Sequence, residues 1–231
     1  MSKILLTLGD SWPEGAELGA GRRYGEILRD TMQFDKFYNY GSGGASNEDM
    51  LYQLQKYLEI HNSQNSVTAI FFLTNPARTA HFPRFLSWAN VDTHSKQIYT
   101  HFHTREHEIM RSSMAVSALQ KWCSTFNIND FYFAGWVRYE QWLPGVDLDR
   151  VWAQGRETVA DWFGASDHNG EHLINVQNNQ YIRPNFAHPN QLGHELIAEK
   201  LQGWIQSKQY TTELHSMDAA LRIQSYSRPG K

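Results

Sequence analysis

Apolar positions along this chain alternate between short continuous runs and stretches of helical period. Residues 3–8, KILLTL, read as a short buried strand ending at Gly9. KFYNYG, residues 36–41, predicts a second strand that stops at glycines. SVTAIFFLTN, residues 66–75, is almost unbroken in its apolar character and suits a strand covered on both faces, as in a parallel sheet. DFYFAGW, residues 130–136, predicts a fourth strand.

Between these runs the pattern becomes helical. Residues 24–34 form one candidate helix. Residues 46–61 form a better one, with Ser46 as its cap and Asp49 three positions on. There Met50, Leu51, Leu54, Tyr57 and Leu58 share a face. Helices are also expected over 105–126, 149–163 and 188–206, the last with Leu192, Leu196, Ile197, Leu201 and Ile205 in one stripe. Residues 76–104 predict a long loop, and 164–187 a polar stretch. The expected organisation is one domain over 1–208 and a tail over 209–231 with a short helix. Strand and helix alternate four times, which argues for an α/β fold with a parallel sheet and right-handed crossovers.

Composition narrows the partners. Of 231 residues 41% are hydrophobic and 19% charged, enough for one well-buried core. A net charge of −3 gives no electrostatic reason to expect a nucleic acid or an anionic membrane as partner. The single cysteine, Cys123, excludes an internal disulfide framework and reads as a small buried hydrophobe in mid-helix. The N-terminal apolar run is too short for a secretory or membrane-spanning segment. The expected location is therefore cytoplasmic, or inside a host cell; a virion component would look the same.

In parallel α/β sheets ligands bind beyond the carboxyl ends of the strands. Ser11, the glycines at 41–44 and Thr74-Asn75 all follow predicted strands. A serine nucleophile needs a base, a group to orient that base, and donors for the oxyanion. His188, just before the last helix, can reach the same rim as a base. Gly44 allows close backbone approach and offers an N–H. Asn75 is placed to offer a side-chain amide. Asp10 reads as a cap or hydrogen-bonding partner of the loop behind Ser11. Trp12 and Arg78 are candidates for the substrate cleft.

The blocks GDSW, NYGSGGASN, FFLTNPAR and AHPNQLGHELIAEKL, in that order and over residues 4 to about 204, resemble the SGNH or GDSL-type hydrolase superfamily. The resemblance implies a flavodoxin-like three-layer α/β/α sandwich with no metal or organic cofactor. It implies Ser11 as nucleophile and His188 as general base. The oxyanion donors it implies are the Ser11 and Gly44 N–H groups and the Asn75 side chain. Esterases, lipases, thioesterases and carbohydrate deacetylases make up most of that family, so a small-molecule or glycan ester is the expected substrate. Specificity is expected in the 76–104 and 137–187 loops.

Two departures stand out. The third block reads Leu73-Thr74-Asn75-Pro76 rather than Gly-x-Asn-Asp. The position three before His188, an Asp in the family, is Asn185. An Asn carbonyl accepts an imidazole N–H and fixes the tautomer, but supplies no negative charge. Asn185 is therefore the expected orienting group, with Asp167 as the nearest upstream acid. Two other readings compete. His101, His103 and His107 have metal-ligand spacing, which would suit a metal-dependent hydrolase. Trp12, Trp88, Trp136, Trp142 and Trp152 would suit a non-catalytic glycan-binding protein on the same fold.

Overall fold

The computed structural model describes residues 2–61, 65–76, 78, 104–139, 141–166, 174–184 and 187–226, the last with side chains to 208. Four strands form one sheet: β1 (Lys3–Leu8), β2 (Lys36–Asn39), β3 (Ser66–Leu73) and β4 (Ile128–Ala134). The spatial order is β2-β1-β3-β4 and every pair is parallel. Parallel neighbours need crossover connections. These include α2 (Tyr24–Thr31), α3 (Asp49–Ile60) and α4 (Arg105–Thr125), while the one-turn α1 (Ser11–Glu14) follows β1 directly. Later come α5 (Val159–Trp162) and α6 (Gln191–Tyr226).

Strand alternation divides the interior into two cores. Ile4, Leu6 and Leu8, with Phe71 and Leu73, meet Met50 and Leu54 of α3 and Val116, Leu119 and Cys123 of α4. Leu5, Ile70 and Phe72, with Phe131 and Phe133, meet Leu28 of α2 and Ile197, Leu201 and Ile205 of α6. The result is a three-layer α/β/α arrangement. It explains why β3 reads as an unbroken apolar run: both its faces are covered. Cys123 is fully buried, and burial pushes its thiol well up from the usual range.

The helix α3 begins at Asp49 with Glu48 at its N-cap position and no side-chain cap there, so Ser46 is not its cap; Ser46 and Asp49 pair in the turn that leads into it. Ser46 Oγ accepts from the Asp49 N–H at 3.3 Å, and Asp49 Oδ2 accepts from the Ser46 N–H at 2.7 Å. Two further expectations change. The helix expected over 149–163 is broken into 3₁₀ turns at Leu148–Arg150 and Trp152–Gly155, followed by the short α5. Ala153, Gln154 and Gly155 all have positive φ, which no right-handed helix can continue through. Val151 and Thr158 instead bridge in parallel to Tyr132 and Ala134, so this segment guards the open edge of β4. Leu192 leaves the expected stripe: it is 51% exposed. Residues 209–226, in the segment expected as a tail, continue α6 without a break.

Candidate active site

The site is built where β1 ends. On one side of β1 lies β2 and on the other β3, so the chain leaves the sheet here in opposite directions and a crevice opens above the strand ends. Gly9 is the hinge of the exit, with φ 136°. A Cβ there would lie 2.8 Å from Phe72 Cβ and 2.9 Å from the Phe72 carbonyl, so only glycine lets β1 leave this close to β3. Asp10 then caps α1, its Oδ1 accepting from the Trp12 N–H at 3.0 Å. Its other oxygen accepts from Thr74 Oγ1 at 3.0 Å and from Arg78 Nη1 at 2.6 Å. Asp10 thereby ties the turn to the end of β3.

Ser11 is the first residue of α1, so its N–H has no acceptor within the helix. Its Oγ lies 2.9 Å from His188 Nε2, across 177 residues of sequence. His188 is carried by a turn that precedes α6. The Arg183 N–H donates to the His188 carbonyl at 2.8 Å, and Ile182 bridges to Pro189. The far nitrogen, Nδ1, faces Glu17 Oε2 at 3.2 Å. A proton on Nδ1 can be donated to that carboxylate, which leaves Nε2 to accept from the serine hydroxyl.

Glu17 was not among the residues singled out from the sequence. It reaches His188 because the chain curls back after α1: the Gly15 and Ala16 N–H groups both return to the Ser11 carbonyl. Glu17 itself sits at φ 64°, an uncommon conformation for a residue with a side chain. The adjacent Leu18 is buried and anchors the curl. No spacing rule singles Glu17 out from Glu14. Asn185 and Asp167, the orienting groups considered from the sequence, lie outside the described residues.

Gly44 has φ 79° in a tight turn, and a Cβ on its neighbour Gly43 would sit 4.0 Å from Ser11 Cβ. The glycine turn therefore approaches the nucleophile candidate closely. Asn75 follows β3 and lines a small crevice with Asp10, Trp12, Thr74 and Trp136. The residue before it, Thr74, is held through both of its peptide groups. Asn47 Oδ1 accepts from the Thr74 N–H at 3.0 Å, and Asn47 Nδ2 donates to the Tyr139 hydroxyl at 2.7 Å. That hydroxyl donates in turn to the Thr74 carbonyl. Burial pushes the Tyr139 phenol up, so it stays a neutral donor.

No protein-family model and no curated protein matches this chain. Solved structures do resemble it. A member of the lipolytic G-D-S-L family from Veillonella parvula is 18% identical, with 86% of this chain and 96% of that one covered and a TM-score of 0.44. A psychrotrophic esterase from a Pseudoalteromonas species is 13% identical, with 90% and 98% covered and a TM-score of 0.48. An SGNH-hydrolase family esterase, AlinE4, is 13% identical, with 90% and 97% covered and a TM-score of 0.41. These neighbours are SGNH and G-D-S-L hydrolases.

Other residues weighed from the sequence fall elsewhere. Trp12 is 2% exposed and packs on Phe72, Trp136 and Phe163, which leaves its ring little surface for a substrate. Arg78 lies over Trp136, 5.7 Å from the ring centroid, with one arm on Asp10. Trp152 packs edge-on against Trp162 and Trp204, and Trp142 stacks on Tyr139. Trp88, His101 and His103 lie outside the described residues. His107 sits in the first turn of α4, its N–H on Thr104 Oγ1. Among the described residues no cluster of three or more His, Cys, Asp or Glu is placed to hold a metal. None of the described helices is long and apolar enough to cross a membrane.

Proposed function

We propose that this chain is a serine hydrolase that cleaves a small acyl ester, of the esterase or carbohydrate-deacetylase type. The observation that carries this reading is the 2.9 Å contact between Ser11 Oγ and His188 Nε2 at the carboxyl end of the sheet. The distance is that of a nucleophile and its base in hydrogen-bond reach.

In this reading Ser11 Oγ attacks the ester carbonyl carbon as His188 Nε2 takes the hydroxyl proton. The carbonyl oxygen becomes an oxyanion and is met by the Ser11 and Gly44 N–H groups and the Asn75 amide. Collapse breaks the bond to the alcohol, which leaves with the proton from Nε2. Water then attacks the acyl-serine, giving its proton to His188, and the acid departs as the bond to Ser11 Oγ breaks and Nε2 returns that proton to the oxygen. Each step is assigned to a residue without a metal or an organic cofactor.

The test is a panel of p-nitrophenyl esters of increasing chain length, with acetylated sugars alongside, on the intact chain and on Ser11→Ala. Hydrolysis that disappears in Ser11→Ala supports the reading. Hydrolysis that survives the substitution overturns it.

A further inference from the structure

We propose that Glu17, rather than a residue just upstream of His188, is the positioning carboxylate of this site, a role that rests on the serine-hydrolase reading above. Three observations meet on it. Glu17 Oε2 is 3.2 Å from the one imidazole nitrogen that Ser11 does not use. Its side chain is two-thirds shielded from solvent although its backbone is on the surface. It is held there at φ 64°, where a glycine would be the comfortable residue.

The geometry has a chemical consequence. When His188 takes the Ser11 proton it becomes a cation, and a carboxylate on Nδ1 stabilises that cation while holding the ring in one tautomer. An asparagine at position 185 could supply the second effect and never the first. The position where the resemblance implies an acid holds Asn185; the fold brings a carboxylate to His188 from the other flank of the serine. Nucleophile and acid then stand six positions apart on one curl, and the base arrives between them from the far end of the chain. Backbone strain held in place by its surroundings is typical of functional positions.

The experiment follows the rate at which a fluorophosphonate probe labels Ser11 between pH 5 and 9, with Ser11→Ala as blank and denaturation midpoints measured in parallel. Removing the acid of a serine protease costs about 10⁴ in turnover. Glu17 is partly solvated, so Glu17→Gln and Glu17→Ala should slow labelling by roughly 10²- to 10³-fold. Glu17→Gln keeps the length of the side chain and removes only its charge, so its loss of rate reports the carboxylate itself. Glu17→Asp should recover most of the rate. Glu17→Gly should label as slowly as Glu17→Ala while its denaturation midpoint stays level or rises, since glycine relieves the positive φ.

Rates within about threefold of the parent across this pH range would overturn the role of Glu17 while leaving Ser11 and His188 standing. So would a larger loss in Asn185→Ala than in Glu17→Ala, or a midpoint that falls in step with labelling. A parent protein whose Ser11 takes no probe would overturn the hydrolase reading itself, and this proposal with it.

Discussion

Gln53 of α3 holds the backbone of Gly9 from both sides, its Oε1 accepting from the Gly9 N–H at 2.8 Å and its Nε2 donating to the Gly9 carbonyl at 2.9 Å. Gly9 is where β1 stops, so its peptide groups have left the sheet ladder and are buried without another strand to pair with. A side-chain amide is the one group that matches both with a donor and an acceptor in a single plane. Gln53→Leu would leave the buried Gly9 N–H unpaired and the Gly9 carbonyl with only its bond from the Ser42 N–H at 3.0 Å. At about 1–3 kcal/mol for one such group, a loss near 2 kcal/mol is expected in a urea titration. Gln53→Glu keeps one of the two bonds and should fall between the parent and the leucine variant.

Asp10 and Arg78 form a second support directly behind Ser11. The Asp10 side chain is only 3% exposed and that of Arg78 17%. Breaking a buried pair by removing one partner strands the other charge and costs about 3–5 kcal/mol. Asp10→Ala should therefore destabilise the protein by about 3 kcal/mol or more. Thr74→Val, which removes a single hydroxyl donor, should cost nearer 1 kcal/mol. Chemical denaturation of both variants checks the order, and a larger loss for Thr74→Val would contradict the network described.

His194 predicts how stability responds to acid. It is 1% exposed, its Nδ1 accepts from the Tyr24 N–H at 3.3 Å, and its ring stacks on Tyr24. Burial, with Arg23 and Arg183 nearby, lowers it from the usual 6.5 to about 4. The folded state thus keeps His194 neutral where the unfolded chain would protonate it. Its contribution is fully present above pH 6.5 and is lost as pH falls from 6.5 toward 4. The size is about 3 kcal/mol across that window. His194→Asn, which keeps an acceptor for Tyr24, should show a flatter fall between pH 6.5 and 4 when midpoints are compared with the parent.

Ser11→Ala should leave folding intact and reduce ester hydrolysis by several orders of magnitude; nucleophile removal in a serine protease costs on the order of 10⁶. Circular dichroism and the p-nitrophenyl assay check the two halves separately. Chelators should leave hydrolysis unchanged. Inactivation by EDTA with recovery on zinc or manganese would instead direct attention to His101, His103 and His107.

Much of this architecture is legible in the sequence because it rests on local chemistry. KILLTL is a strand at the bounds its apolar run predicts, and Ser46 and Asp49 pair where the chain enters α3 through bonds that span only three residues. The order of the blocks places Ser11, Gly44 and Asn75 after strands, and the parallel sheet then carries them to one rim. Periodicity reports which way a side chain faces along its own element and little else. It did not separate the broken turns at 148–155 from a helix, because their positive φ values and their bridges to β4 are not written in apolar spacing. It placed Leu192 in a buried stripe, although that residue is half exposed in the first turn of α6. Trp12, a cleft candidate from its place beside Ser11 and from the number of tryptophans, packs instead in the aromatic core. Glu17 is the clearest case. Its carboxylate meets His188 across 171 positions, through a left-handed backbone and the angle at which the turn before α6 crosses the end of β1. Such a meeting depends on long-range geometry, and residue type or spacing along the chain carries no trace of it.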